Sequence, residues 1–521
     1  MKSEMIKGRM AEQCLPSFMK QMPCDLNATL FTLLSIVISM LLVFKITRRS
    51  KRNLPPSPPK LPIIGNYHQL GTLPHRSFQT LSQKYGPLLL LQLGQLPVLV
   101  VSSADLAKEV LQNHDLDFAS RPHLTAPKIL LYGCKDVGYS SYGDLWRQKR
   151  KLCVIELLSL KRVQLVQFIR EEEVKALVSN IRKVCSSNGC AVNLSEFLVA
   201  TANNVVCRCL FGRKYDADDG KCRFGELARE VMTQVSDFSL GDLFPLLRWV
   251  GVMSGQTKKY KATFGALDAF FDHLIAERKM ARSDSEKKDF LDALLELQDS
   301  DKLEFELTTD DLKALIMDMF LGGSDTTSTT LEWAMTELVK NPSIMNKVQE
   351  EVRRVVRNKS KLEANDIDQM DYLKCVVKET LRLHPPAPLL VPRETRSNVK
   401  LGGYDIPNKT MVFVNAWAIQ RDHEFWEKPE EFIPERFESS EVNFNGQDFQ
   451  FIPFGSGRRK CPGMAFGLAS VEDILANILY WFDWKVPGSG GSDKELDMSE
   501  KFGLTVNKRV PLYLEPIPYP N

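Results

Sequence analysis

The densest chemistry in the chain lies in Phe454-Gly455-Ser456-Gly457-Arg458-Arg459-Lys460-Cys461-Pro462-Gly463. Its three glycines allow a tight turn and let backbone amides close on a central atom. Three cations directly precede Cys461 and favour thiolate over thiol. A thiolate among amides suits a ferric iron. Zinc wants three or four Cys or His ligands, and none lie nearby in the sequence. A lone cysteine in a glycine loop is unspecific, whereas the full spacing F-x-x-G-x-R-x-C-x-G is far more restrictive.

A second unusual stretch interrupts a long helical pattern. Thr308-Thr309-Asp310-Asp311 offers a hydroxyl cap followed by acids in a first turn. Apolar residues follow at Leu312, Leu315, Ile316, Met319 and Phe320, and resume at Leu331, Ala334, Met335, Leu338 and Val339. That spacing is one helix face, and Asn341-Pro342 ends it. The middle is poor helix material. Gly322 and Gly323 each cost about 1 kcal/mol relative to alanine, and the run Thr326 to Thr330 adds β-branched crowding and hydroxyls that compete for the main chain. Two readings stand. The stretch is a hinge between two helices, or the glycines let a flat group approach while Asp325 and Thr326 hand on protons.

The elements that must position these residues read as a mainly α body with small β-sheets, an α+β fold. Leu88 to Val101, broken at Gly94 and Pro97, reads as a strand pair. Helical patterns dominate from about Asp144 to His384, strands and loops follow to about Gly455, and one more helix and terminal strands close the chain. No GxGxxG or P-loop pattern occurs, which disfavours a dinucleotide or P-loop domain. The 521 residues carry 68 basic and 65 acidic side chains. A balance of +3 does not point to nucleic acid. The eleven cysteines have no framework spacing, so they read as reduced thiols.

Leu26 to Phe44 is a run of 19 residues without a charge. At ~1.5 Å per residue it reaches about 28 Å, close to one hydrocarbon core. Lys45, Arg48, Arg49, Lys51 and Arg52 follow directly, and this denser basic flank belongs in the cytosol. A proline-rich stretch, Pro55 to Pro62, reads as a stiff spacer. The expected division is an extension over 1–25, a transmembrane anchor over 26–44, a linker over 45–66 and a catalytic domain over 67–521.

These motifs resemble the cytochrome P450 family, and in particular plant microsomal A-type members, along the chain from the anchor onwards. The haem-loop motif is matched by Phe454, Gly457, Arg459, Cys461 and Gly463. The oxygen-activating helix motif is matched by Gly322-Gly323-Ser324-Asp325-Thr326-Thr327. The E-x-x-R pair falls at Glu379 and Arg382, and Pro434-Glu435-Arg436-Phe437 resembles its partner segment. Trp146 to Arg150 fits the family's W-x-x-x-R pattern.

The resemblance implies haem b with Cys461 as thiolate ligand and sole protein ligand to the metal, cradled by Phe454, Gly455 and Gly463. It gives Trp146, Arg150, Arg393 and Arg459 to the haem propionates, and makes Glu379, Arg382 and Arg436 a structural cluster. Asp325 and Thr326 deliver protons. Ser140, Leu321, Gly322, Leu390, Val391 and Leu504 line a pocket for a small lipophilic substrate such as a terpenoid, alkaloid or phenolic. The implied activity inserts one oxygen atom from O2, with electrons from NADPH through NADPH-cytochrome P450 reductase, at the endoplasmic reticulum membrane. Cytosolic Lys149, Lys151, Arg458 and Lys460 are expected to face that reductase. Competing readings are an isomerase or dehydratase on the same fold, a haem carrier or redox sensor, and a membrane scaffold; the last leaves the cysteine loop unexplained.

Overall fold

The computed structural model describes residues 29–37, 39–40, 53–185, 191–214, 224–280, 289–300, 303–357, 359–488 and 496–519. The chain forms two compact units, residues 1–53 and 54–521.

In the first unit, residues 29–37 and 39–40 are helical, with Leu30, Phe31 and Met40 each about 70% exposed. The rest of the apolar run and the basic residues after it lie outside the described residues. Among the described residues one helix is long and apolar enough to cross a membrane, Leu194–Phe211, but half of it is buried in the second unit, as a core helix would be.

The second unit is built on helices α1 (Pro74–Tyr85), α2 (Asp144–Cys153), α3 (Gln167–Cys185), α4 (Leu194–Phe211), α5 (Phe224–Val235), α6 (Gln256–Met280), α7 (Thr309–Lys340), α8 (Pro342–Val356), α9 (Asp371–Leu383) and α10 (Met464–Trp481). Its strands are β1 (Leu88–Leu93), β2 (Leu96–Val101), β3 (Val192–Asn193), β4 (Arg393–Glu394), β5 (Val399–Leu401), β6 (Tyr404–Ile406), β7 (Met411–Val414), β8 (Phe482–Lys485), β9 (Glu500–Lys501), β10 (Asn507–Lys508) and β11 (Tyr513–Pro518). The largest sheet runs β1-β2-β7-β4. Its antiparallel hairpin pairs Leu88 with Val101, and β7 then lies parallel to β2 and carries β4 on its far edge, with Arg393 opposite Val412.

Helix α7 is the axis of the body and packs against α4 and α10. Its start is a capping box in which Thr308 accepts from the Asp311 amide and Asp311 accepts from the Thr308 amide. The helix is continuous from Thr309 to Lys340, so the glycine-threonine stretch is not a hinge. The hydroxyls thought to compete with the helix are instead absorbed by it. Ser324, Thr326, Thr327 and Thr330 donate back to the carbonyls of Phe320, Gly322, Gly323 and Thr326 at 2.7–2.9 Å. Burial on most sides supplies the stability that propensity lacks.

Candidate active site

Cys461 sits at the end of a loop that its glycines make possible. Gly455 and Gly457 both have φ in the left-handed region, near +65° and +69°. A Cβ on Gly457 would stand 2.0 Å from the carbonyl oxygen of Leu111. The Cys461 amide donates to the Phe454 carbonyl at 2.9 Å and closes the turn. Phe454 is half-buried edge-on to Phe444, and Gly463 caps helix α10. Cys461 is exposed, unlike the other described free cysteines, which are buried or half-buried.

The electrostatics differ from the sequence expectation. Burial among neighbouring groups pushes the Cys461 thiol up; the Gly463 amide and the charges of Arg150 and Lys460 oppose this. Of the three preceding cations only Lys460 acts on the sulfur. Arg459 turns away, donating to the carbonyls of Ala119, Val137 and Ser140. Arg458 uses its amide to reach Asp115 at 2.8 Å.

These arginines form a nest beside the loop. Arg459 lies over the Trp146 ring at 4.1 Å, and Arg150 over the same ring at 5.6 Å. Trp146 donates its indole N–H to the Val137 carbonyl, which also accepts from Arg459. Arg150 donates to the Lys460 carbonyl. Arg393 bridges Asp115 and the Ser456 carbonyl. Arg121, which the sequence did not single out, is buried beneath them on the carbonyls of Gly138, Val391 and Pro392. Burial, then repulsion from Arg393 and Arg150, lowers Arg459 to about 9. Burial and repulsion from Arg459 and Arg393 likewise lower Arg121. This cationic excess suits a dianionic group, and the Cys461 sulfur beside it suits a metal at that group's centre. The residues present therefore fit a haem, with Cys461 available to the iron and Arg150, Arg393, Arg459 and Trp146 near its acidic edge.

Glu379, Arg382 and Arg436 also come together, away from the nest. Arg382 grips both Glu379 oxygens at 2.7 and 2.8 Å, and Arg436 adds 3.0 Å to one of them. The Arg382 guanidinium also donates to the carbonyls of Gln420, Pro429 and Glu431, tying helix α9 to the segment before the cysteine loop.

On α7 the expected pair divides. Asp325 is buried and accepts from the Thr505 hydroxyl, while Thr326 donates to the Gly322 carbonyl. Burial raises the Asp325 carboxyl, and the Thr505 bond opposes it. A Cβ on Gly322 would meet nothing within 4 Å, so this face is open, whereas one on Gly323 would press Val206 at 3.0 Å.

Of the pocket residues, Leu321, Val391 and Leu504 share one apolar cluster. Leu390 belongs to another, beside Gly455. The Ser140 carbonyl holds Arg459. Lys149 corrects a sequence expectation. It is buried and ion-paired with Asp311 at 2.5 Å, so it cannot meet a partner protein.

Sequence reasoning also missed a buried acid pair. Asp318 on α7 accepts from the amides of Val137 and Gly138, and Asp136 from that of Tyr139. Burial raises both carboxyls, Asp136 to about 6, and each is hydrogen-bonded to the other. The pair pins the loop whose Val137 and Ser140 carbonyls hold Arg459.

A helical body on one long axis, with an exposed cysteine beside buried guanidiniums, defines a haem-thiolate enzyme. The family model "Cytochrome P450" matches residues 55–512, and the chain belongs to that family. It is 54% identical over 93% of its length to a phenylacetaldehyde oxime monooxygenase of Prunus mume, covering 94% of that protein. It is 46% identical to desmethylyatein synthase of Sinopodophyllum hexandrum and 44% to costunolide synthase of Cichorium intybus, in each case over 93% of this chain and 98% of the relative. A zebrafish cytochrome P450 structure with abiraterone superposes with a TM-score of 0.73 and 28% identity, over 86% of this chain and all of that one. The chain is thus a cytochrome P450 monooxygenase of the kind that serves plant specialised metabolism, and it acts on small molecules.

Proposed function

We propose that Cys461 would hold the iron of haem b through its thiolate and that the chain inserts one oxygen atom from O2 into a lipophilic small molecule. In the balanced reaction, substrate, O2, NADPH and a proton give hydroxylated product, water and NADP+. NADPH-cytochrome P450 reductase passes on the electrons. The observation that carries this reading is the exposed residue Cys461 beside a buried nest of guanidiniums.

Bound haem supplies dioxygen activation, and a thiolate ligand donates electron density that favours O–O cleavage. The chain's residues do the rest. Arg150, Arg393, Arg459 and Trp146 bind and orient the propionates, since guanidiniums pair bidentately with carboxylates. Phe454, Gly455 and Gly463 shape the loop that presents the sulfur. Asp325 and Thr326 hold and pass protons. Leu321, Gly322, Leu390, Val391, Leu504 and Ser140 form the wall that orients the substrate and excludes water. Glu379, Arg382 and Arg436 lock the scaffold beneath.

The apolar run over 26–44 serves as a single-pass anchor in the endoplasmic reticulum membrane. The extension 1–25 precedes it, the linker 45–66 follows, and the catalytic domain 67–521 is cytosolic. The exposed helix of residues 29–37 supports this reading. Lys151, Arg458 and Lys460 meet an acidic reductase surface.

The test is turnover of the full chain in microsomes with a plant reductase, NADPH and labelled dioxygen. Phenylacetaldehyde oxime and 5-epiaristolochene are the first substrates to offer, after the names of two relatives. A product carrying one labelled oxygen, absent with Cys461→Ala, is expected. Turnover needing neither NADPH nor dioxygen would overturn the reading in favour of an isomerase or dehydratase.

A further inference from the structure

Two consecutive residues of the segment before β10 do different things. Leu504 is half-buried in the apolar cluster that holds Leu321 and Val391. Thr505, 3% exposed, turns to helix α7 and donates its hydroxyl to Asp325 Oδ2. Asn507 adds a second side-chain hydrogen bond to the same carboxyl and accepts one from Thr329.

The segment is clamped by its main chain. The Leu504 amide reaches the Met232 carbonyl at 3.3 Å, and the Val506 amide the Pro386 carbonyl at 2.8 Å. The Val506 carbonyl accepts from the Trp333 indole at 3.1 Å. Asp325 also borders a hollow of about 10 Å³ lined by the polar Asn203 on α4, Arg229 on α5, and Ser324 and Ser328 on α7, and by apolar residues that include Leu321, room for about one water. Arg229 and Lys501 are the charges that face the carboxyl.

We propose that Thr505 is the positioning residue for Asp325, holding its carboxyl at the small hollow that Leu321 of the substrate wall also lines. This rests on the reading of Asp325 as a proton carrier. The hydroxyl fixes where the carboxyl sits, because Thr326 commits its own hydrogen to Gly322 and gives Asp325 none. A hydrogen bond donated to a carboxylate favours its ionised form. Removing it leaves the carboxyl protonated to higher pH and free to leave the hollow. Because Leu504 precedes Thr505 directly, a substrate pressing on the pocket wall bears on the group that sets this position.

The test uses the purified full chain as Thr505→Val, Thr505→Ser, Asn507→Ala and Asp325→Asn, each first checked for the reduced carbon monoxide spectrum of intact thiolate ligation. The protonated-carboxyl infrared band that Asp325→Asn abolishes is titrated in the others. The midpoint should rise by about one pH unit in Thr505→Val, the size of one lost hydrogen bond to a charged group. It should return in Thr505→Ser and rise in Asn507→Ala, which keeps the test open if Thr505→Val does not fold. In turnover, hydrogen peroxide released per NADPH should rise several-fold in Thr505→Val and stay at the wild-type level in Thr505→Ser. An unmoved band in Thr505→Val and Asn507→Ala, or no recovery in Thr505→Ser, overturns the proposal. If the band moves but Asp325→Asn leaves peroxide release unchanged, Thr505 does position the carboxyl and it is the proton-carrier reading that fails.

Discussion

Arg382 holds Glu379 through two hydrogen bonds, at 2.7 and 2.8 Å, with neither side chain exposed to solvent. A fully buried ion pair is of uncertain net worth, but removing one partner leaves the other charge stranded, at a cost of about 3–5 kcal/mol. Here Arg436 shares the carboxylate, so Glu379→Ala strands two guanidiniums.

Glu379→Ala should therefore lower the melting temperature sharply and abolish haem incorporation, although Glu379 lies outside the cationic nest. Glu379→Gln, which keeps acceptor capacity, should lose less. Thermal unfolding followed by circular dichroism measures both, and an unchanged midpoint for Glu379→Ala would refute a locking role.

The two glycines of α7 should part company. At Gly322 a methyl group meets nothing within 4 Å, so Gly322→Ala should gain up to about 1 kcal/mol of helix propensity. At Gly323 the methyl group meets Val206 at 3.0 Å, which offsets that gain. Melting temperatures should rank Gly322→Ala above wild type and Gly323→Ala below Gly322→Ala. Gly322→Leu should fold yet weaken the substrate-induced spectral shift, because its side chain fills the open face.

The Asp136–Asp318 pair makes stability depend on pH with a definite sign. Burial is the largest cause at both carboxyls; the Asp136 charge raises Asp318 further, while backbone amides, the Asp318 hydrogen bond and Arg121 oppose the rise at Asp136. The folded state thus holds protons that the unfolded state releases above the ordinary value of 3.8. The stabilisation is fully present below that value and is lost as pH rises through about 6 and beyond. Tyr139, Cys134 and Cys153 nearby carry raised pKa values and stay neutral in this window. Asp318→Asn mimics the protonated acid, so its melting temperature should fall less than that of wild type between pH 4 and pH 8. Parallel pH profiles for the two proteins would count against the shared proton.

What the sequence disclosed was local. The cysteine loop, the ends of α7, the strand pair at Leu88 to Val101 and the three-residue spacing of Glu379 and Arg382 each lie within one stretch of chain, where periodicity and glycine placement speak for themselves. What it hid joins distant stretches. Lys149 reads as one more surface cation of α2, yet its partner Asp311 is 162 residues away. Asp325 reads as the neighbour of Thr326, yet its hydroxyl partner is Thr505, 180 residues on. Arg459 was expected to favour the thiolate, but the three carbonyls it serves come from two separate stretches that no pattern marks, Ala119 from one and Val137 and Ser140 from the other. Such pairings are fixed by packing and leave no period in the sequence. The hinge suggested by Gly322 and Gly323 failed for the same reason, since burial of α7 overrides local propensity.

The most direct test of the account is the carbon monoxide difference spectrum of the reduced, haem-loaded full chain, compared with Cys461→Ala and Cys461→His. The account predicts the red-shifted Soret band of thiolate ligation for the wild type and its loss in both variants, with Cys461→His giving the band of nitrogen ligation. A wild-type thiolate band that persists in Cys461→Ala would contradict it and move the iron ligand elsewhere in the chain.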